Sequence, residues 1–176
     1  MVCTGNIIRS AMAEAMLRVH LDGRPLDATV RSAGTLAWDG AAHRSAVEVL
    51  RERGVDLTGH ASQPLTTALV ADADLVLPMA RTHLWGVLAH DPDADARTFL
   101  LPELVRLGRS VGARVPGEPV RGWAARLAAA RPNGRVGGRS EDEIADPLGE
   151  PFAVFRATAA RLDDVTAQIA ELVAPL

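Results

Sequence analysis

The sequence predicts one α/β domain, a parallel sheet with helices on both faces, and three observations carry that prediction. Segments that read as strands alternate with segments that read as helices from Cys3 to Leu101, the pattern of a parallel sheet with helical crossovers. The chain closes on its longest helical pattern, with Phe152, Phe155, Ala159, Leu162, Val165, Ile169 and Leu172 recurring every three or four residues. A chain of 176 residues that is 48% apolar can bury a sizeable core as a single domain, residues 1–176.

In order along the chain, Ser10 is placed to cap a helix through Ala13, Met16, Leu17 and Leu21, so that Cys3 to Arg9 is a short loop entering a helix N-terminus. Thr29 to Ala33 reads as a strand, Gly34 to Gly40 as a loop, and Ser45 to Arg53 as a helix stopped by Gly54. Ala73 to Pro78 then reads as a buried strand, Thr82 to Ala89 as a helix and Arg97 to Leu101 as a further strand. Pro151 suits the first turn of the final helix. Between these regions, Arg106 to Arg139 holds eight Arg against one acid, Glu118, in a chain of net charge −3. This basic insertion reads as a solvated loop with a short helix near Trp123 to Ala130, in preference to a docking surface for acidic partners.

Composition narrows the function classes. Net charge −3 and 3% aromatic residues give no case for nucleic-acid binding. The most apolar stretch, Leu69 to Met79, is broken by Asp72 and Asp74, so no membrane span is expected, and nothing at the N-terminus reads as a signal peptide. Cys3 is the single cysteine, which excludes an intramolecular disulfide and a cysteine-rich zinc site and fits a reducing, cytoplasmic setting.

The chemistry is concentrated at the start. Cys3-Thr4-Gly5-Asn6-Ile7-Ile8-Arg9-Ser10 has the spacing C-x5-R-S directly before a helix. A helix N-terminus and a guanidinium both favour the thiolate, the reactive form of cysteine. Amides of a tight loop can converge on an oxyanion, Gly5 is expected to allow a conformation that a β-carbon would obstruct, and Arg9 offers a planar bidentate donor to two phosphate oxygens.

The run Val2-Cys3-Thr4-Gly5-Asn6-Ile7-Ile8-Arg9-Ser10-Ala11-Met12-Ala13-Glu14 resembles the phosphate-binding loop and first helix of low-molecular-weight protein-tyrosine phosphatases. Ser32-Ala33-Gly34-Thr35, Gly59-His60-Ala61, Asp74 to Met79 and Asp146-Pro147-Leu148-Gly149 follow in the order that family uses. The resemblance implies three layers around a four-stranded parallel sheet, with the phosphate loop of Thr4 to Ser10 at the carboxyl ends of the strands. It implies Cys3 as nucleophile, Arg9 as phosphate clamp and Asp146 as general acid that later activates water. By the same resemblance Asn6, Ser10, Ser32 and His60 form the network that fixes the loop, while Trp38 and Leu148 border the substrate cleft. The implied partner is a tyrosine-phosphorylated protein. No metal or organic cofactor is implied, and the oligomeric state is not addressed. Asp146 alone would read as a turn residue before Pro147, and His60 alone as a structural histidine; Trp85 and Trp123 read as packing residues.

The sequence departs from the family pattern in four places. Only Met1 and Val2 precede Cys3 where relatives carry a hydrophobic strand, so added upstream residues are expected to stabilise the fold. Leu148 stands where an aromatic residue often lines the cleft. Ile8 replaces a second cysteine, so no vicinal disulfide can protect Cys3. Ile7 favours an aryl phosphate over phosphoarginine, because the arginine-phosphatase branch has Thr there. The rival readings are an arsenate reductase using an external small thiol, a small-metabolite phosphatase, and an inactive phosphate-binding module.

Overall fold

The structure is a computed structural model and describes residues 1–36, 38–132 and 136–176. Strand β1 (Val2–Cys3) pairs in parallel with β2 (Ala33–Gly34), Val2 beside Ala33 and Cys3 beside Gly34. On the other side of β1, Val2 bridges Pro78, its N–H donating to Leu77 O at 3.0 Å, and Val76 bridges Thr98 in turn. The sheet thus grows outward from β1, but only two of the four expected strands form a ladder; residues 73–78 and 97–101 join through single bridges. Residues 97–101 are divided between the end of a 3₁₀ turn, Pro92–Arg97, a bridge at Thr98 and the start of a helix.

Helices cover both faces: α1 (Arg9–Leu21), α2 (Arg44–Arg51), α3 (Thr67–Asp72), α4 (Arg81–His90), α5 (Leu101–Val111), α6 (Val120–Ala129) and α7 (Phe152–Val173). Successive strand side chains point to opposite faces, and the core divides accordingly. Cys3 and Leu77 join the larger cluster, with Met12 and Met16 of α1 and Phe155 and Leu162 of α7. Val2 and Val76 join the smaller one, with Val70 of α3 and Val87 of α4. The three layers therefore follow from the alternation of Val2 with Cys3 and of Val76 with Leu77.

Helix α2 stops where Gly54 adopts φ 73°, as the sequence implies, whereas Pro151 is the N-cap of α7 and not part of its first turn. The expected strand Thr29 to Ala33 is observed as Ala33–Gly34, the two residues in register with Val2 and Cys3. Arg31 N–H and Leu77 N–H have no acceptor among the described residues, and between the two segments lies a cavity of 440 Å³ lined by Met1, Leu26, Val30, Leu69 and Leu75. Apolar residues placed upstream of Met1 would occupy this slot in strand register. Burying each Val- or Leu-sized side chain contributes about 1.5–3 kcal/mol, and 1 kcal/mol moves Tm by about 2–4 °C in a domain of this size. Extension by three such residues should raise Tm by about 10 °C or more in scanning calorimetry; an unchanged Tm would contradict the slot.

The basic segment differs from the solvated loop expected. It holds most of α5 and all of α6, including the short helix expected there, Trp123 is fully buried with Nε1 donating to Gly112 O at 3.0 Å, and two of its arginines, Arg114 and Arg131, are buried struts. Arg131 is buried against Glu103 at 3.1 Å and stacks 4.2 Å above the Phe99 ring, and Arg114 donates to Val173 O and Glu118 O. Arg106, Arg121 and Arg126 pair with Asp142, Asp74 and Glu118. Trp85 is also corrected: it is 56% exposed and not a packing residue.

Candidate active site

The chain leaves β1 at Cys3 and enters α1 at Arg9, and the loop between is held from outside by its carbonyls. Cys3 O accepts from Thr35 N, Thr4 O from Leu36 N, and Ile7 O from His43 N, all at 2.8–3.0 Å. Asn6 O lies 2.6 Å from His60 Nε2. The amides of Thr4 to Ile8, in contrast, meet no acceptor among the described residues. Carbonyls outward and N–H groups unspent, ahead of a helix N-terminus, is the arrangement of an anion nest.

Asn6 supplies the turn. It is the non-glycine residue with positive φ, 54°, a region that its short amide side chain tolerates. Fully buried, it donates from Nδ2 to Ser10 Oγ (2.9 Å) and Ser32 Oγ (2.7 Å), and Oδ1 accepts from Gln63 N (3.0 Å). Ser32 Oγ in turn donates to the buried Glu14 carboxylate. Two expectations are revised here. Gly5 has no positive φ, and a β-carbon there would meet only Ile7 side-chain atoms at ordinary contact distance; the demanding glycine is Gly34, where a β-carbon would sit 2.6 Å from Thr4 O. Ser10 does not cap α1: the N-cap is Ile8, and the Ser10 hydroxyl turns to Cys3 Sγ at 3.0 Å.

Cys3 and Arg9 are both buried, which keeps thiol and guanidinium in a site of low solvent screening. Arg9 donates to Ile144 O at 3.1 Å and to Asp146 Oδ2 at 2.5 Å, and Ile144 N is tied to Met79 O of the sheet at 2.7 Å. The loop carrying Asp146 is thereby anchored over the phosphate loop from far along the chain. Asp146 Oδ1 accepts from Leu148 N at 3.2 Å, its side chain stays 44% exposed, and Leu148 and Trp38 are exposed as well. Among the expected site residues, Cys3, Ser10, Asn6, Ser32 and His60 form one hydrogen-bonded group, and Arg9 and Asp146 form a second, tied to the Ile144 carbonyl.

Three residues without an expected role bond to the site, Glu14 and Gln63 to the Asn6–Ser32 network and His83 to Thr4 of the loop. Glu14 follows Ser10 by four positions, one helical turn, so its proximity was readable from spacing. Gln63 also donates through Nε2 to Ser32 O at 2.9 Å. His83, on the first turn of α4, places Nε2 2.9 Å from Thr4 Oγ1, and no sequence pattern marks it. Burial first, and then the Arg9 charge, push His83 down from 6.5 to about 4. The folded state then binds fewer protons than the unfolded state between pH 6.5 and 4, so His83 supports stability above that window and loses the contribution as pH falls through it. His83→Gln should flatten the decline of Tm across this window; an unchanged slope would contradict the assignment.

Comparison with known proteins identifies the family. The model of the family described as low molecular weight phosphotyrosine protein phosphatase matches residues 1–126. A probable low molecular weight protein-tyrosine-phosphatase EpsP of Ralstonia solanacearum is 42% identical over 104 residues, 58% of this chain and 69% of that protein. A protein-arginine-phosphatase of Bacillus subtilis is 30% identical over 171 residues, 97% of this chain and 92% of the other. Among solved structures, the mutant YwlE of Bacillus subtilis superposes with a TM-score of 0.72 at 30% identity, covering 97% of this chain and 93% of that one. Vibrio vulnificus Wzb in complex with benzylphosphonate gives 0.70 at 25% identity, covering 97% and 94%. The family match and the fold define an enzyme of the phosphatase type. The chain belongs to the low molecular weight phosphotyrosine protein phosphatase family, a family of hydrolases.

Proposed function

We propose that the protein hydrolyses aryl phosphate monoesters, with phosphotyrosine on a protein as the substrate, through a cysteinyl-phosphate. The observation that carries this reading is the pairing of a buried Cys3, hydrogen-bonded to Ser10, with a buried Arg9 bound to Asp146. Substrate phosphate takes the loop amides of Thr4 to Ile8 and the Arg9 guanidinium, and so displaces Asp146 from Arg9. Freed from Arg9, the Asp146 carboxyl takes the role of proton donor to the leaving oxygen. Cys3 Sγ attacks phosphorus, the P–O bond to the leaving group breaks, and Asp146 gives that oxygen its proton. Asp146, now a carboxylate, takes a proton from water as the water oxygen attacks the cysteinyl-phosphate and releases phosphate and the thiolate. Ser10, oriented by Asn6, stabilises that thiolate; Ser32, His60, Gln63 and Glu14 hold Asn6.

A second reading, hydrolysis of phosphoarginine, has one observation in its favour: the match to a protein-arginine-phosphatase runs along nearly the whole chain. Ile7 argues for the first. Phosphate release should be measured from phosphotyrosine, phosphoserine and phosphoarginine peptides, with Cys3→Ser as control. The aryl reading predicts Cys3-dependent release from phosphotyrosine at least tenfold faster than from the others; preference for phosphoarginine would replace it, and release surviving in Cys3→Ser would remove Cys3 from the chemistry.

A further inference from the structure

His83 is 4% exposed, its Nδ1 is buried without a partner among the described residues, and its Nε2 meets Thr4 Oγ1. The charges that bear on it are Arg9 on α1, Asp146 on the acid loop and Glu143 beside it, so the ring sits among the groups of the proposed mechanism. Its tautomer follows from the partners. A buried N–H with nothing to bond is rarer than an unfilled acceptor position, so the proton belongs on Nε2 and the bare lone pair on Nδ1. Nε2–H then donates to Thr4 Oγ1, and with that oxygen accepting, the Thr4 hydroxyl hydrogen is left for another acceptor. Thr4 immediately follows Cys3 in the loop and is only half-buried, so the acceptor within reach is the phosphoryl group or its leaving oxygen.

We infer that His83 is a positioning residue that fixes the Thr4 hydroxyl as a donor to the transferring phosphoryl group, adding a side-chain donor to the loop amides. This rests on the phosphatase reading above. Neutral imidazole is needed because imidazolium would present a second buried N–H, at Nδ1, without an acceptor and close to the Arg9 charge.

The test compares Thr4→Val, His83→Leu, the double variant and His83→Gln, which keeps an N–H at the reach of Nε2. Thr4→Val and His83→Leu should each lower kcat for para-nitrophenyl phosphate by about tenfold, the worth of one hydrogen bond, leaving KM within twofold, and should weaken orthovanadate inhibition by a similar factor. The double variant should fall no further than the singles, because both remove one donor. His83→Gln should recover most of the rate. Two independent tenfold losses that multiply, or Thr4→Val within twofold of the parent, would overturn the inference, the latter even if His83→Leu does not fold. Turnover that persists in Cys3→Ser would instead sink the cysteinyl-phosphate mechanism on which the inference rests.

Discussion

Asp146→Ala should lower kcat for phosphotyrosine by about 10²- to 10⁴-fold, the usual contribution of a positioned acid and base. The variant loses the proton donor for the leaving oxygen and the base for the attacking water. The effect on KM has the opposite sign from that of a binding residue. Asp146 occupies Arg9 NH2 at 2.5 Å, so a substrate phosphate must displace it; without the carboxylate that competition is gone, and KM should stay level or fall. Steady-state kinetics on a phosphotyrosine peptide check both halves. A rate within a few-fold of the parent would take Asp146 out of the mechanism, and a large rise in KM would show that it binds substrate.

Gly34→Ala should be nearly as damaging, although Gly34 makes no contact with substrate in the proposed mechanism. Its added β-carbon would stand 2.6 Å from Thr4 O, with Gly5 C and Leu36 O at 3.1 Å, and all three are backbone atoms. No side chain can swing away to make room, so the phosphate loop or β2 must move. Overpacking of this kind typically destabilises by about 1–3 kcal/mol. A displacement of about 1 Å in a catalytic loop can lower turnover by 10²-fold. We expect kcat to fall by roughly that factor while the variant stays folded by circular dichroism. Parental kcat would mean that the loop accommodates the methyl group without disturbing Cys3.

The first and last helices and the residues of the phosphate loop were legible because their information is local. A C-x5-R-S run directly before a helix describes its own surroundings, and α7 declares itself by spacing. What required the fold was non-local. Residues 29–31 have strand composition but no strand partner, because pairing depends on what lies beside them and not on their own side chains. The basic segment shows its charge in composition, whereas the partners that turn Arg131 and Arg114 into buried struts, Glu103 and the carbonyl of Val173, stand 28 and 59 residues away. Helix α5 was obscured by the same basic segment and by Pro102, which proves to sit in its first turn where proline is tolerated. At the site, Ser10 looked like a cap by type, and only the position of Cys3 Sγ shows that its hydroxyl is engaged there. Gly34 is the clearest case: it appeared within Ser32-Ala33-Gly34-Thr35, yet the reason for a glycine is the Thr4 carbonyl lying against it.

The central claim is that Cys3 carries the phosphoryl group between substrate and water. Asp146→Ala, mixed with para-nitrophenyl phosphate, whose leaving group needs little protonation, retains the attack by Cys3 and lacks the base for the second step, so the intermediate should accumulate. Rapid quenching followed by mass spectrometry of the peptide containing Cys3 tests the claim directly. The expected result is that peptide with the added mass of one phosphoryl group, on Cys3 and absent when Cys3→Ala is combined with the same change. An unmodified Cys3 during measurable turnover, or the phosphoryl group on another residue, would contradict it.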